Sequence, residues 1–284
     1  MTPIAKWVAG ARPRTLPAAI APVLVATAFA GSDWDPLRAI SALLVSLALQ
    51  IGVNYANDYS DGIRGTDDSR IGPVRLTASG LAKPKSVRNA ALISFLFAAI
   101  IGLTLAVATS WWLILVGAIA IAAAWGYTGG KNPYGYKGLG EISVFLFFGV
   151  VATVGSYYVQ TEDLNLQILI ISIPMGALSC AILAINNLRD RAQDEIVGKK
   201  TLAVRLGDKG ARRLYIALLI SSHLFALLTF KPATALTLLA APLSWSLARG
   251  VSSGASGAQL IPYLAKTGKL QLVFAALFAL GLAI

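Results

Sequence analysis

The chain has 284 residues, 56% of them hydrophobic and only 13% charged, against about 25% charged residues in a typical soluble domain. One cysteine and one histidine exclude a disulfide scaffold and the His- or Cys-rich spacing that zinc and copper require. Apolar runs long enough for a ~30 Å hydrocarbon core recur throughout, so the chain reads as an all-α polytopic membrane protein, a single domain over residues 1–284.

Residues 1–14 lack a signal-peptide pattern and read as a short amphipathic lead-in, with Trp7 as an interfacial anchor. Pro13 and Pro17 suit a helix start, opening a first span at about 15–31. A second, about 37–58, runs into Asn54-Tyr-Ala-Asn57-Asp58-Tyr-Ser-Asp61-Gly-Ile-Arg64. A polar connection over 62–86 carries Arg64, Arg70, Arg75, Lys83 and Lys85, and connections of that length are often functional. Spans three and four follow at about 87–109 and 111–127, then a turn-rich loop with Gly129, Gly130, Lys131, Pro133 and Lys137. Span five covers about 141–160 and span six about 166–188. The sixth leads into Asn186-Asn187-Leu-Arg189-Asp190-Arg191-Ala-Gln-Asp194 and a further polar segment. Spans at about 213–230, 232–249 and 267–284 complete a bundle of about nine transmembrane helices.

These spans leave only Arg38 and Lys231, of the 24 Lys and Arg, on one side. The rich side is then cytoplasmic. The expected topology has a cytoplasmic N-terminus, an outer C-terminus and a multi-pass location in the cell membrane, with the polar site facing the cytoplasm. The net charge of +11 thus reports topology and a lipid bilayer partner, with no nucleic acid.

Asn54, Asn57, Asp58 and Asp61 fall at i, i+3, i+4 and i+7, on one helical face. Asn186, Asp190 and Asp194 repeat the pattern at the end of span six, which suggests pseudo-repeated halves, roughly 1–138 and 139–284. Carboxylates at membrane depth need a partner. Mg²⁺ suits them, since it is held by a few carboxylates together with substrate phosphates, and Arg64, Arg75, Lys131 and Lys200 are available for phosphate oxygens. Such a site opening into apolar helices fits an isoprenyl diphosphate. The faces of Tyr55, Tyr59, Trp125 or Tyr127 could steady an allylic cation. Cys180 and His223 read as packing residues. A divalent-cation or anion transporter is the competing class, because intramembrane carboxylates also mark ion paths; against it, the polar groups cluster at one face.

Asn57-Asp58-Tyr-Ser-Asp61 followed by Asp67, with Asp190-Arg-Ala-Gln-Asp194, resembles the UbiA superfamily of intramembrane aromatic prenyltransferases. Tyr127-Thr-Gly-Gly-Lys131 is similar to its Tyr-x-x-x-Lys element. Ala11-Arg-Pro-Arg-Thr-Leu-Pro-Ala-Ala-Ile-Ala-Pro22, Pro133-Tyr-Gly-Tyr-Lys-Gly-Leu-Gly-Glu141, Asn186-Asn-Leu-Arg-Asp190 and Lys200-Thr-Leu-Ala-Val-Arg-Leu-Gly207 resemble the menaquinone branch. One departure is Gly65, where the superfamily pattern places a third aspartate.

The resemblance implies Mg²⁺-dependent transfer from a polyprenyl diphosphate to 1,4-dihydroxy-2-naphthoate, with loss of CO₂ and diphosphate, giving demethylmenaquinone. Another acceptor such as 4-hydroxybenzoate is the alternative within the superfamily. The implied metal and catalytic residues are Asp58, Asp61, Asp190 and Asp194, with Asn54, Asn57 and Asn186 supporting. Lys131 would act in catalysis and, with Arg64, Arg75 and Tyr127, bind diphosphate; Arg14 or Lys200 would meet the acceptor carboxylate. The roles of Asp67 and Asp68 stay open.

Overall fold

The structure, a computed structural model, describes residues 1–67, 72 and 74–284. Asp68 and Arg70, named above, lie outside them. The described residues contain no strand. In chain order the helices are α1 (Pro3–Ala11), α2 (Pro17–Ala30), α3 (Pro36–Ile63), α4 (Pro84–Ala108), α5 (Trp112–Gly126), α6 (Gly140–Thr161), α7 (Leu166–Ile196), α8 (Leu202–Leu227), α9 (Ala241–Ser252) and α10 (Ile261–Ala283). A 3₁₀ run, Pro232–Ala240, leads into α9.

Sequence chemistry sets the starts. Proline occupies the first turn of α1, α2, α3 and α4, where its missing N–H costs nothing. Asp35 accepts the Arg38 N–H at 2.9 Å and Asn165 accepts that of Ile168 at 3.0 Å, capping α3 and α7. Each of the nine expected spans coincides with a helix or helical run. Among the described residues, however, only five segments (α3, α4, α6, α7 and Gly257–Ala283) are long and apolar enough to cross a membrane singly, with the bent pair Pro3–Thr15 and Pro17–Asp33 a sixth. The shortfall has a physical cause: α5 has 15 residues, and α8 carries five charged side chains in its first half.

The bundle is centred on α7. In its most apolar window 78% of residues are buried, against 28% in α3, α4 and α6, so the latter face lipid on one side. Helix α7 packs on α8, α10, α6 and α2, while α3 packs chiefly on α4. Small residues permit the close approaches. A Cβ on Gly149 of α6 would lie 2.5 Å from the Gly176 Cα of α7, and one on Gly52 would lie 2.5 Å from the Phe95 ring. Next to this contact α6 winds as a π-helix over Phe145–Val151, a distortion frequent at functional sites. Helix α5 is different: none of its residues is buried.

At the end opposite the acidic motifs, the two isolated cations cap helix C-termini. Arg38 donates to Val159 O at 3.1 Å and Ala108 O at 3.3 Å and pairs with Glu162 at 2.9 Å; Lys231 donates to Leu282 O at 2.7 Å. At the other end α1 is tied to α3. The Tyr55 hydroxyl donates to Trp7 O at 2.8 Å, and the two rings meet edge to face. Trp7 therefore faces inward; Ile4 and Val8 are the exposed large apolar residues of α1.

Candidate active site

One cavity of about 580 Å³ takes in both polar constellations. Its mouth is lined by Asn54, Asn57 and Asp61 from α3 and by Asn186, Asp190 and Asp194 from α7. It then follows α3 as far as Ala42, nineteen residues and about 28 Å from Asp61 at 1.5 Å per residue. The deeper walls are apolar: Leu49 and Val45, Leu113 and Val116 of α5, and Phe147 and Phe148 from the π-helical stretch.

The carboxylates in the mouth are engaged. Asp61 accepts the Tyr136 hydroxyl at 2.6 Å and the Lys199 ammonium at 3.1 Å. Asp190 takes both prongs of Arg189, each at 2.7 Å, and the same guanidinium donates to Asn186 at 2.7 Å. Arg75 pairs with Asp67 at 3.1 Å. Two guanidinium nitrogens, Nη1 of Arg75 and Nη1 of Arg189, are buried without a hydrogen-bond partner, and both residues line the cavity. Orphaned buried charged donors are expensive, so this mouth is built for an anion.

Several expected residues stand elsewhere. Asp58 does not line the cavity; its two oxygens accept the N–H groups of Leu76 and Thr77 at 2.8 and 2.9 Å. Arg64 turns away, donating to the carbonyls of Thr128 and Gly130. Lys131 is exposed and absent from the lining, because the Gly129–Gly130 turn carries it outward. Lys200 is exposed as well, holding the loop through its backbone N–H to Tyr136 O at 2.9 Å, while its neighbour Lys199 is buried and faces the cavity. Arg14 and Tyr127 do line the cavity. Asn54 lines it too, with its amide donating to Ala11 O at 2.9 Å and Thr15 Oγ1 at 3.1 Å; Asn57 accepts the Thr128 hydroxyl at 2.7 Å.

Of the aromatics expected near a cation, Tyr55, Tyr59 and Trp125 lie outside the lining: Tyr55 packs on Trp7, and Tyr59 on Trp125. Tyr127, Tyr134, Tyr136, Phe147 and Phe148 take that place. Cys180 is buried, and His223 bonds Ser244 at 2.9 Å and packs on Phe274, both as packing residues.

Lys199, Tyr136, Arg189 and Glu141 also stand at or beside the cavity, without being among the residues expected from the sequence. Buried Glu141 receives the amide of Asn187, a lining residue, at 3.0 Å. Arg189 had a signal, since it falls three residues after Asn186 on the face carrying Asp190.

The donor set fits Mg²⁺. Among the described residues no three acidic, His or Cys side chains form a metal cluster by themselves. Mg²⁺ needs no such cage: one or two carboxylates, amide oxygens, waters and substrate phosphates suffice, and the mouth offers hard oxygen donors beside buried cations for a phosphate.

The chain is similar to known proteins both in sequence and in fold. The profile described as the UbiA prenyltransferase family matches residues 19–261. A relative from Mycobacterium tuberculosis named 1,4-dihydroxy-2-naphthoate octaprenyltransferase is 51% identical, over 100% of this chain and 98% of its own. One of the same name from Escherichia coli is 39% identical, over 97% and 94%. Among solved structures, a UbiA homolog from Archaeoglobus fulgidus bound to GPP and Mg²⁺ superposes with a TM-score of 0.70 at 14% identity, over 98% of this chain and 100% of that one.

Proposed function

The chain belongs to the UbiA prenyltransferase family, and from that premise we propose that the cavity mouth holds the diphosphate of a polyprenyl diphosphate with Mg²⁺ while the apolar depth takes the tail. The enzyme transfers a polyprenyl group to 1,4-dihydroxy-2-naphthoate in menaquinone biosynthesis. The observation that carries the reading is the pair of orphaned guanidinium nitrogens, on Arg75 and Arg189, in the cavity shared by Asp61, Asp190 and Asp194.

Asp61, Asp190 and Asp194, with Asn57 and Asn186, would hold the metal, which supplies positive charge to the departing diphosphate. Arg75 and Arg189 bind its remaining oxygens through charge-assisted hydrogen bonds. Lys199 sits beside Asp61 and adds to the positive field of the mouth. The rings of Tyr127, Phe147 and Phe148 face the volume in which the allylic carbon acquires charge, where aromatic faces stabilise a cation. The allylic C–O bond breaks as the carbon–carbon bond forms at the carboxylate-bearing ring carbon. CO₂ and diphosphate leave, and the product is the quinol form of demethylmenaquinone. Arg14 lines the cavity and would meet the acceptor carboxylate. The mouth faces the cytoplasm and the bilayer is the cell membrane, on the strength of the basic side chains gathered at that end. The halves 1–138 and 139–284 each contribute one acid-bearing helix, α3 and α7.

Purified protein given polyprenyl diphosphate, Mg²⁺ and dihydroxynaphthoate should yield the decarboxylated prenylated product by mass, with loss of turnover in Asp61→Asn and Asp190→Asn. Prenylation of 4-hydroxybenzoate alone would overturn the acceptor; metal flux in proteoliposomes without diphosphate release would overturn the enzyme.

A further inference from the structure

Asp58 is fully buried, and its carboxylate is spent on the backbone of a distant turn. Its Oδ2 accepts Leu76 N at 2.8 Å and its Oδ1 accepts Thr77 N at 2.9 Å. Ser79 N bonds Arg75 O at 3.0 Å, Gly80 N bonds Thr77 O at 3.1 Å and Ala82 N bonds Leu76 O at 3.0 Å, so Leu76 and Thr77 open a compact turn whose first donors have no local acceptor. A carboxylate is a strong acceptor for such a pair.

The turn is also clamped sterically. Leu76 has no exposure, and a Cβ on Gly10 would lie 2.7 Å from its Cδ1. Thr77 sits so close to α3 that a Cβ on Gly62 would meet its side chain at 2.5 Å. The residue immediately before the clamped turn is Arg75, whose guanidinium lines the cavity, meets Asp67 at 3.1 Å and keeps one nitrogen unpartnered. The position of Arg75 along the chain is thus set by what holds Leu76 and Thr77.

We propose that Asp58 is a positioning residue that aims Arg75 at the diphosphate through the turn it caps, and that it holds no metal. This rests on the diphosphate reading of the cavity and adds a division of labour within Asn57-Asp58-Tyr-Ser-Asp61: Asp61 faces the substrate, and Asp58, one helical turn back, faces the loop that grips it.

The test is steady-state kinetics of the full-length protein in lipid nanodiscs, varying polyprenyl diphosphate and Mg²⁺ separately. Asp58→Asn should raise KM for the diphosphate about tenfold, the loss expected for weakening one charge-assisted contact. It should leave the Mg²⁺ concentration for half-maximal rate within about twofold, whereas Asp61→Asn shifts it or abolishes turnover. In an Arg75→Ala background, Asp58→Asn should add almost nothing, because two residues acting through one contact are non-additive. A shift in Mg²⁺ requirement in Asp58→Asn matching that of Asp61→Asn, or full multiplication with Arg75→Ala, overturns the proposal. Thr77→Pro keeps the carboxylate and removes one of its two backbone donors. It should reproduce the KM rise even if Asp58→Asn does not fold, and an unchanged KM there overturns the proposal equally. Absence of prenyl transfer by the wild-type protein would instead overturn the diphosphate reading.

Discussion

Lys199 Nζ lies 3.1 Å from Asp61 Oδ2, across 138 residues of sequence, and the same ammonium sits 4.7 Å from the centre of the Tyr136 ring. One side chain thereby ties the end of α3, the loop after α5 and the segment after α7 into a single polar cluster. The pair is buried, where removing one partner leaves an uncompensated charge.

Lys199→Ala should therefore lower kcat/KM about thirtyfold, corresponding to ~2 kcal/mol for a lost charged hydrogen bond. Lys200→Ala, at an exposed position, should stay within about twofold of wild type. Initial rates of the two purified variants separate the neighbours.

Arg189 holds both oxygens of Asp190 and the Asn186 amide with one planar fork. A lysine cannot reproduce that geometry. Arg189→Lys should raise KM for polyprenyl diphosphate at least about tenfold and lower the unfolding temperature, read by thermal unfolding in detergent. An unchanged KM would remove Arg189 from the diphosphate site.

Tyr136 sits in the loop and donates to Asp61 at 2.6 Å. Burial first, and then the negative charge of Asp61, push its phenol well above the ordinary tyrosine range. The folded protein keeps this proton where the unfolded chain loses it, so the stability it contributes is complete below about pH 10 and declines above that. Tyr136→Phe should lower turnover about threefold to tenfold, the effect of one hydrogen bond. The pH–rate profile up to pH ~9.5 should keep its shape, since the Tyr136 phenol holds its proton there. A new alkaline limb in wild type that vanishes in Tyr136→Phe would contradict this.

Gly149 and Gly176 bring the backbones of α6 and α7 into direct contact. Gly149→Ala should destabilise by about 1–3 kcal/mol through overpacking. Gly155→Ala, in the same helix with nothing within 4 Å of the added carbon, should be near neutral. Parallel thermal melts report the contrast.

The membrane class, the helical runs and the two acid-bearing helix ends were legible because each is a local pattern of period and composition. That Asn57, Asp61, Asn186, Asp190 and Asp194 share one cavity followed from their spacing once α3 and α7 end at the same side. What did not follow was the direction taken after a helix stops. Lys199 and Lys200 are adjacent and chemically identical, yet Gly198 adopts a left-handed conformation at φ 78° and the first lysine turns inward while the second stays exposed. Arg64 and Lys131 looked like phosphate ligands by proximity in sequence, and the turn around Gly130 sends one to backbone carbonyls and the other to solvent. Asp58 and Asp61 share a helical face broadly, but three residues of rotation divide a loop-facing carboxylate from a cavity-facing one.

Helix α5, with no buried residue along its length, walls one side of the cavity with a single thickness of side chains. Leu113, Val116 and Ala120 line the inside, while Ile114, Leu115 and Ile119 are exposed outside. The two sides of one helix therefore answer to different solvents: substitutions at the lining positions reshape the apolar depth, while those at Ile114, Leu115 and Ile119 alter the outer surface alone.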